Sequence, residues 1–196
     1  MPHVPQQKQE TRQQILRSAR RLFNRKGFAE VTIDEIMNGA GLTRGGFYRH
    51  FKTKDEIYSE ALLQFTCKDP PEKWQRKYID PCVEGVPFAR MIVEAYLSRE
   101  HLLDHDGSCP TASLASDVSR SSLRVKQAFR KVLEMMLTVF AGNLRGEDAR
   151  ERALTLAALC VGAMVVGRAV DDPGLANAVR SAARKHILAT SGWGEG

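Results

Sequence analysis

The sequence predicts an all-α protein made of a short basic head and a longer, nearly neutral body, and three observations carry that expectation. Apolar residues recur at the three-to-four-residue spacing of helix faces, with no alternating strand character in the body. Helix starts are written in capping signals, Thr32 with Glu35, Thr53 with Glu56, and Asp172 before Pro173. Charge is divided unevenly: residues 1–54 hold 11 Lys/Arg against 4 Asp/Glu, net +7, whereas residues 55–196 hold 18 against 19, net −1.

At 196 residues, 43% apolar and 27% charged, the chain has a globular composition that excludes disorder and collagen-like structure. Cysteines 67, 82, 109 and 160 form neither a CxxC nor a disulfide-dense pattern, and the first eight residues lack the apolar core of a secretory signal. A cytoplasmic localisation is therefore expected. The longest apolar run, Ala153 to Gly167, is interrupted by Thr155 and closed by Arg168, short of the roughly 20 residues of a bilayer span. No membrane segment is expected from it. A basic head on a neutral body implies an anionic partner for the head, nucleic acid ahead of membrane because no bulky apolar face opposes the basic residues.

From Gln9 to Lys26 one helix face carries Ile15, Leu16, Ala19, Leu22 and Phe23, and the opposite face carries Arg12, Arg17, Arg20, Arg21 and Arg25. Gly27 is placed to end this helix in a left-handed conformation. Thr32 then caps a second helix, Glu35 closes the capping box, and Val31 can staple onto Ile36. Gly39-Ala40-Gly41 limits that helix to two turns. Thr43 can cap a third helix in which Phe47 and Phe51 turn inward. Arg44, Tyr48, Arg49 and His50 are left facing out, beside two glycines, Gly45 and Gly46, that let the backbone approach a surface closely. A fourth helix opens at Thr53-Lys54-Asp55-Glu56 with a second capping box. Two short helices joined by a glycine turn, the second lined with Arg, Tyr and His, form a helix-turn-helix with its recognition helix at 44–50.

The run from Thr11 to Leu62, with its phrases ILRSARRLFNRKGFAEVTIDEIMNGAGLTRGGFYRHFKTKDEIYSEAL, resembles the DNA-binding domain of TetR/AcrR-family transcriptional regulators. The resemblance covers about fifty residues and involves a whole helix, cap, turn and helix grammar. It implies a three-helix helix-turn-helix DNA-binding domain at residues 1–53 and a helical effector-binding and dimerisation domain at 54–196. It also implies phosphate contacts from Thr32, Tyr48, His50 and Lys54, and positions at or near base edges for Thr43, Arg44, Gly45 and Arg49. Gly46 stands where many members carry a small polar or β-branched residue, which lowers recognition-helix stability by about 1 kcal/mol. The implied partners are a palindromic double-stranded DNA operator and a small-molecule effector. No cofactor is expected.

In the body, Cys67-Lys68-Asp69-Pro70-Pro71 to Asp80-Pro81-Cys82, with Trp74 and Tyr78, reads as an irregular excursion because its prolines forbid a continuous helix. Helical patterning resumes at 88–97 and again at 123–140. Residues 147–168 begin with Glu147-Asp148 at the positive helix end and run on almost wholly apolar, and Asp172-Pro173 opens a final helix through Leu188. Ala158, Gly162, Ala163 and Gly167 form a small-residue face on which another helix can pack closely. Such a helix must be covered, by its own domain or by a second subunit. The resemblance favours a homodimer through the last two helices.

No enzyme constellation is present: Gly41 to Gly46 lacks the Lys-Ser/Thr ending of a phosphate-cradling loop, and no serine sits in a nucleophile elbow. An all-α enzyme or carrier with an incidental basic head is the alternative, and a partner-binding adaptor is a third. His101 and His105 with Asp104 and Asp106 have metal-ligand spacing but no third ligand at a fixed distance, and they read equally as a wet helix end. Phe88, Met91, Tyr96 and Met136 are candidate ligand contacts that also suit plain core. Pro110 after Cys109 suits the first turn of a helix at 111–118, which puts the thiol at a helix N-terminus where thiolate is favoured, although Asp104 and Asp106 oppose ionisation. The Gly-Cys turn, interrupted here by Ser108, looks like that of family members that sense electrophiles or oxidants through a thiol. Reversible ligand binding competes with that reading.

Overall fold

The computed structural model describes residues 4–65 and 86–193. The proline-bearing excursion with Trp74, Tyr78, Cys67 and Cys82 lies outside the described residues. Every regular element among the described residues is helical, as the capping signals and periodicity require. The chain forms two compact units, residues 1–64 with 105–131 and residues 65–104 with 132–196. The unit that holds the head thus runs beyond residue 53 and takes in a distant segment.

In the first unit, α1 (Val4–Glu30) begins before the expected Gln9, and at Gly27 the backbone leaves the helical region as expected, with a short helical piece merged beyond that kink. Gly27 adopts φ 76°, ψ 174°, a conformation costly for any residue with a Cβ. A Cβ there would also lie 2.4 Å from Asp117 Oδ2, the oxygen that accepts the Phe28 N–H at 3.1 Å. Glycine is therefore required twice over. α2 (Ile33–Gly39) starts with both halves of the Thr32–Glu35 capping box, and Val31 and Ile36 are buried as a staple would be. Gly41, at φ 68°, turns the chain into the next element.

That element corrects the expectation of an α-helical recognition segment capped by Thr43. Arg44–Arg49 is a 3₁₀ helix (η1), and the Thr43 side chain makes no capping bond. Two adjacent glycines cost an α-helix about 2 kcal/mol, and the tighter i→i+3 pattern is used for such short pieces. α3 (Lys54–Leu63) follows, with Thr53 accepting the Glu56 N–H at 3.1 Å. The second capping box is incomplete, because the Glu56 carboxylate accepts instead from the Lys52 N–H at 2.6 Å.

These helices close on one apolar cluster. Ile15, Leu16, Ala19 and Phe23 from α1 meet Ile36 and Met37, the inward-facing Phe47 and Phe51, and Ile57, Tyr58, Ala61 and Leu62 from α3. Leu114, Val118, Val125 and Ala128 complete it. They come from the joint at Leu114 between α6 (Pro110–Ser113) and α7 (Ala115–Ser119), from α7 itself, and from the start of α8 (Leu123–Ala141). The helix expected at 111–118 is thus two short ones, broken at Leu114, where φ is −121° and ψ 2°.

The second unit contains α4 (Phe88–Tyr96), α5 (Arg99–Leu103), the rest of α8, α9 (Ala149–Ala169) and α10 (Pro173–Thr190). α9 and α10 pack on each other, and Asp172 caps α10 by accepting the N–H groups of Gly174 and Leu175 at 2.7 and 3.2 Å. Asp148 makes no such cap on α9. Arginines terminate the short helices: Arg168 donates to the carbonyls of His101 and Leu102, and Arg180 to that of Leu97. His101 is fully buried, with Nδ1 2.6 Å from the Tyr96 carbonyl, and so does not form the wet helix end read from sequence. Among the described residues no group of three metal-ligating side chains assembles.

The small-residue face of α9 divides in two. Ala163 and Gly167 turn inward, where a Cβ on Gly167 would be 3.1 Å from Leu102. Ala158 and Gly162 turn outward with Leu154, Val165 and Val166, all exposed. Counted over its whole 21 residues, α9 is long and apolar enough to cross a membrane, which the shorter run from Ala153 did not suggest. Its inner face is occupied by α10 and α5.

Candidate nucleic-acid interface

The outward residues of the head are held by a well-braced frame. Ser18 Oγ donates to the Ile36 carbonyl at 2.8 Å, tying α2 to α1. Arg12 donates to both carboxylate oxygens of Glu60, at 2.5 and 2.7 Å, and lies 4.4 Å over the Phe51 ring, tying α1 to α3. η1 is anchored between them by Phe47 and Phe51, which are completely buried and 5.7 Å apart. Burial of two phenylalanines four apart forces the residues between them to the other side.

Tyr48 is accordingly 62% exposed, edge-on to Phe47. Thr43, Arg44, Gly45 and Arg49 are exposed, and a Cβ on Gly45 would meet nothing within 4 Å. Gly46 is half-buried, 3.4 Å from Met37 measured from the position of a Cβ. His50 is half-buried with Nδ1 buried and unpartnered. Its pKa lies below the usual imidazole value, through burial and then the positive charges of Lys8, Arg12 and Arg49. The imidazole is therefore neutral at pH 7.

Two of the expected phosphate contacts are already engaged. The Thr32 hydroxyl accepts the Glu35 N–H at 3.2 Å and donates to Glu35 Oε2 at 2.9 Å. Lys54 Nζ sits 4.3 Å over the Phe28 ring and donates to the Ala29 carbonyl at 3.3 Å, and burial lowers its pKa. The frame fixes both side chains at helix N-termini, where backbone N–H groups favour anions. Sequence reasoning missed Asp34, whose carboxylate accepts from Arg44 Nη1 at 2.7 Å, and Lys26, which donates to Glu35 at 2.6 Å. Asp34 and Glu35 together read as a helix-start signal, which hid Asp34's second partner ten residues on. Asn24 was missed as well: its amide donates to the carbonyls of Asp106 and Ser108 at 3.0 and 3.1 Å and accepts from the Ser113 hydroxyl at 2.9 Å.

The candidate ligand contacts do not share one unit. Met91, Tyr96 and Met136 are buried and Phe88 is exposed in the second unit, whereas Cys109 belongs to the first. Cys109 is 3% exposed, its Sγ is 3.0 Å from Thr111 Oγ1, and the helix it precedes has only four residues.

With this geometry in place, comparison with known proteins is informative. Residues 15–61 match the bacterial regulatory proteins, tetR family. The HTH-type transcriptional regulator AcrR of Shigella flexneri is 49% identical over 55 residues, a match that covers 28% of this chain and 26% of AcrR. The HTH-type transcriptional regulator UidR of Escherichia coli K12 is 30% identical over 154 residues, 78% of this chain and 72% of UidR. The crystal structure of reduced E. coli NemR superposes with a TM-score of 0.72 over 91% of this chain and 95% of NemR, at 18% identity.

The frame makes one pH prediction. Glu35 is held at a pKa of about 2, first by the Lys26 ammonium and then by the Thr32 N–H and hydroxyl. A carboxylate whose folded pKa is depressed contributes stability that is complete above its unfolded value near 4.5 and is lost as pH falls toward 2. Urea midpoints measured at pH 6 and pH 3 are expected to fall less for Glu35→Gln than for the parent protein. An equal fall in both would remove Glu35 from the acid response.

Proposed function

The chain belongs to the tetR family of bacterial regulatory proteins and is a DNA-binding transcriptional regulator, and from that premise we propose that it is a repressor released from a palindromic operator by an effector. The observation that carries the reading is the exposed set Arg44, Tyr48 and Arg49, with half-buried His50 at its end, braced from below by Phe47 and Phe51. Thr43, Arg44, Gly45 and Arg49 are assigned to base edges, with Gly45 allowing close approach and Gly46 turned toward Met37. Thr32, Tyr48, His50 and Lys54 are assigned to phosphates. The DNA-binding domain is taken as residues 1–53 and the effector and dimerisation domain as 54–196.

A palindrome is read by two copies of the chain whose recognition segments fit major grooves about 34–36 Å apart. The outward apolar face of α9, with Leu154, Ala158, Gly162, Val165 and Val166, and the exposed Leu175 of α10 supply the surface that a second copy would cover. An effector releases DNA only by favouring a different spacing.

Two sensing chemistries fit. One is a reversible ligand among Phe88, Met91, Tyr96 and Met136. The other is covalent change at Cys109, which would be coupled to the head by the clasp that Asn24 makes on the segment carrying that thiol. Because the thiol is buried, its reaction needs the 106–113 segment to open first.

Three measurements test these readings. Arg44→Ala is expected to cost about 1–3 kcal/mol and relax preference at one operator position, while Lys54→Ala weakens all duplexes alike and lowers the log-log salt slope by about 0.9. Identical behaviour would overturn the division of roles. Gly162→Leu has nothing within 4 Å to strike inside the subunit, so a loss of dimer in sedimentation reads the interface alone, and an unchanged dimer removes α9 from it. Brief iodoacetamide treatment at neutral pH should modify Cys109 ahead of Cys160, which is buried midway along α9, and Asn24→Ala, which removes all three bonds of the clasp, should accelerate Cys109 only, by about a hundredfold. Equal rates at the two cysteines would leave the reversible ligand as the effector.

A further inference from the structure

Arg44 and Asp34 join the two helices of the helix-turn-helix at their starts. Asp34 is in the first turn of α2, Arg44 opens η1, and the Nη1 to Oδ2 distance is 2.7 Å. Both side chains are open to solvent, at 63% and 48% exposure. Asp34 is not needed for the cap of α2, which Thr32 and Glu35 complete between them. It is one of only 4 acidic residues among the first 54, against 11 basic ones, and it lies beside the side chain assigned to read a base. A carboxylate there repels any DNA backbone.

We propose that Asp34 is a specificity-determining positioning residue, holding Arg44 by one amino group so that the guanidinium meets a base edge and does not close on a phosphate. The proposal rests on the reading of Arg44 as a base contact. Two physical effects act together. Arginine presents its donors as a rigid planar fork, so fixing one amino group sets the plane in which the other N–H groups lie, and a bidentate contact to guanine O6 and N7 depends on that plane. Holding the side chain beforehand also removes part of the rotamer freedom that docking would otherwise cost. Meanwhile the carboxylate cancels the charge of Arg44 toward the backbone, which lowers binding to every sequence. Asp34 thus widens the ratio of specific to non-specific binding through Arg44, which no purely structural role would do.

The test uses the full chain and the duplex that it selects from a random double-stranded pool. Fluorescence anisotropy then compares the parent protein, Asp34→Asn, Arg44→Ala and the double variant. The probes are the selected duplex, the same duplex changed at the position where Arg44→Ala relaxes preference, and a random duplex, over a range of salt. Asp34→Asn is expected to lower discrimination at that position about tenfold, to bind the random duplex more tightly, and to steepen its salt slope by about 0.9 as Arg44 takes up a phosphate. In the Arg44→Ala background the same change should leave discrimination where Arg44→Ala put it. An Asp34→Asn protein with unchanged discrimination, or one that loses as much in the absence of Arg44, overturns the positioning role while leaving Arg44 as a reader. An Arg44→Ala protein that discriminates like the parent overturns both. Melting temperatures of the four proteins separate these outcomes from loss of fold.

Discussion

The burial of Phe47 and Phe51 against α1 is the contact on which the rest of the head depends. Three residues cannot lie between two core-facing anchors four positions apart without directing the intervening side chains outward, so exposure of Tyr48 and Arg49 follows from packing beneath them. The ring of Phe51 also carries Arg12, whose bidentate pair with Glu60 locks α1 to α3. Each fully buried phenylalanine contributes about 1.5–3 kcal/mol of transfer free energy. That is enough to hold a glycine-rich 3₁₀ segment whose own backbone preference is poor.

How much of this was legible depends on how local the determining contacts are. The Thr32–Glu35 box, the Val31–Ile36 staple and the Asp172 cap are settled by residues within five positions, and each is present in the structure. The inward turn of Phe47 and Phe51 was legible for the same reason. The contribution of 105–131 to the head was not, because Asp117 meets Phe28 across 89 positions and Asn24 meets Ser108 across 84. No periodic pattern announces such pairings. The 3₁₀ form of η1 was foreshadowed only by Gly45-Gly46, and the partner of Asp34 was concealed by its place in a helix-start signal.

The small residues of α9 show a different limit. Ala158 and Gly162 form one i, i+4 row, and Ala163 and Gly167 form another, displaced by five residues and hence by about 140° around the axis. Composition grouped them, whereas geometry assigns one row to the inside of the subunit and the other to solvent. Gly167 is needed by Leu102 and Ala176 of its own unit, while Gly162 meets nothing within it. A helix that is apolar all round can therefore be half core and half open surface, and apolarity alone does not say which half is which.

The clasp between Asn24 and the 106–113 segment bears on how large a signal this fold can carry. Its three hydrogen bonds are worth about 1 kcal/mol each when they join partly buried groups. The Arg25 pair with Asp106 adds little, because both partners are substantially exposed. Breaking the clasp in one subunit thus changes the balance of states by about 3 kcal/mol, whereas moving a two-state equilibrium from 1:99 to 99:1 needs about 5.5 kcal/mol. One subunit falls short of a full switch. Two subunits that respond together on one palindrome reach about 6 kcal/mol, so the proposed dimer would double the signal as well as the DNA contacts. On that arithmetic an effector that acted through this clasp would give a graded response in a single chain and a decisive one only in the proposed pair.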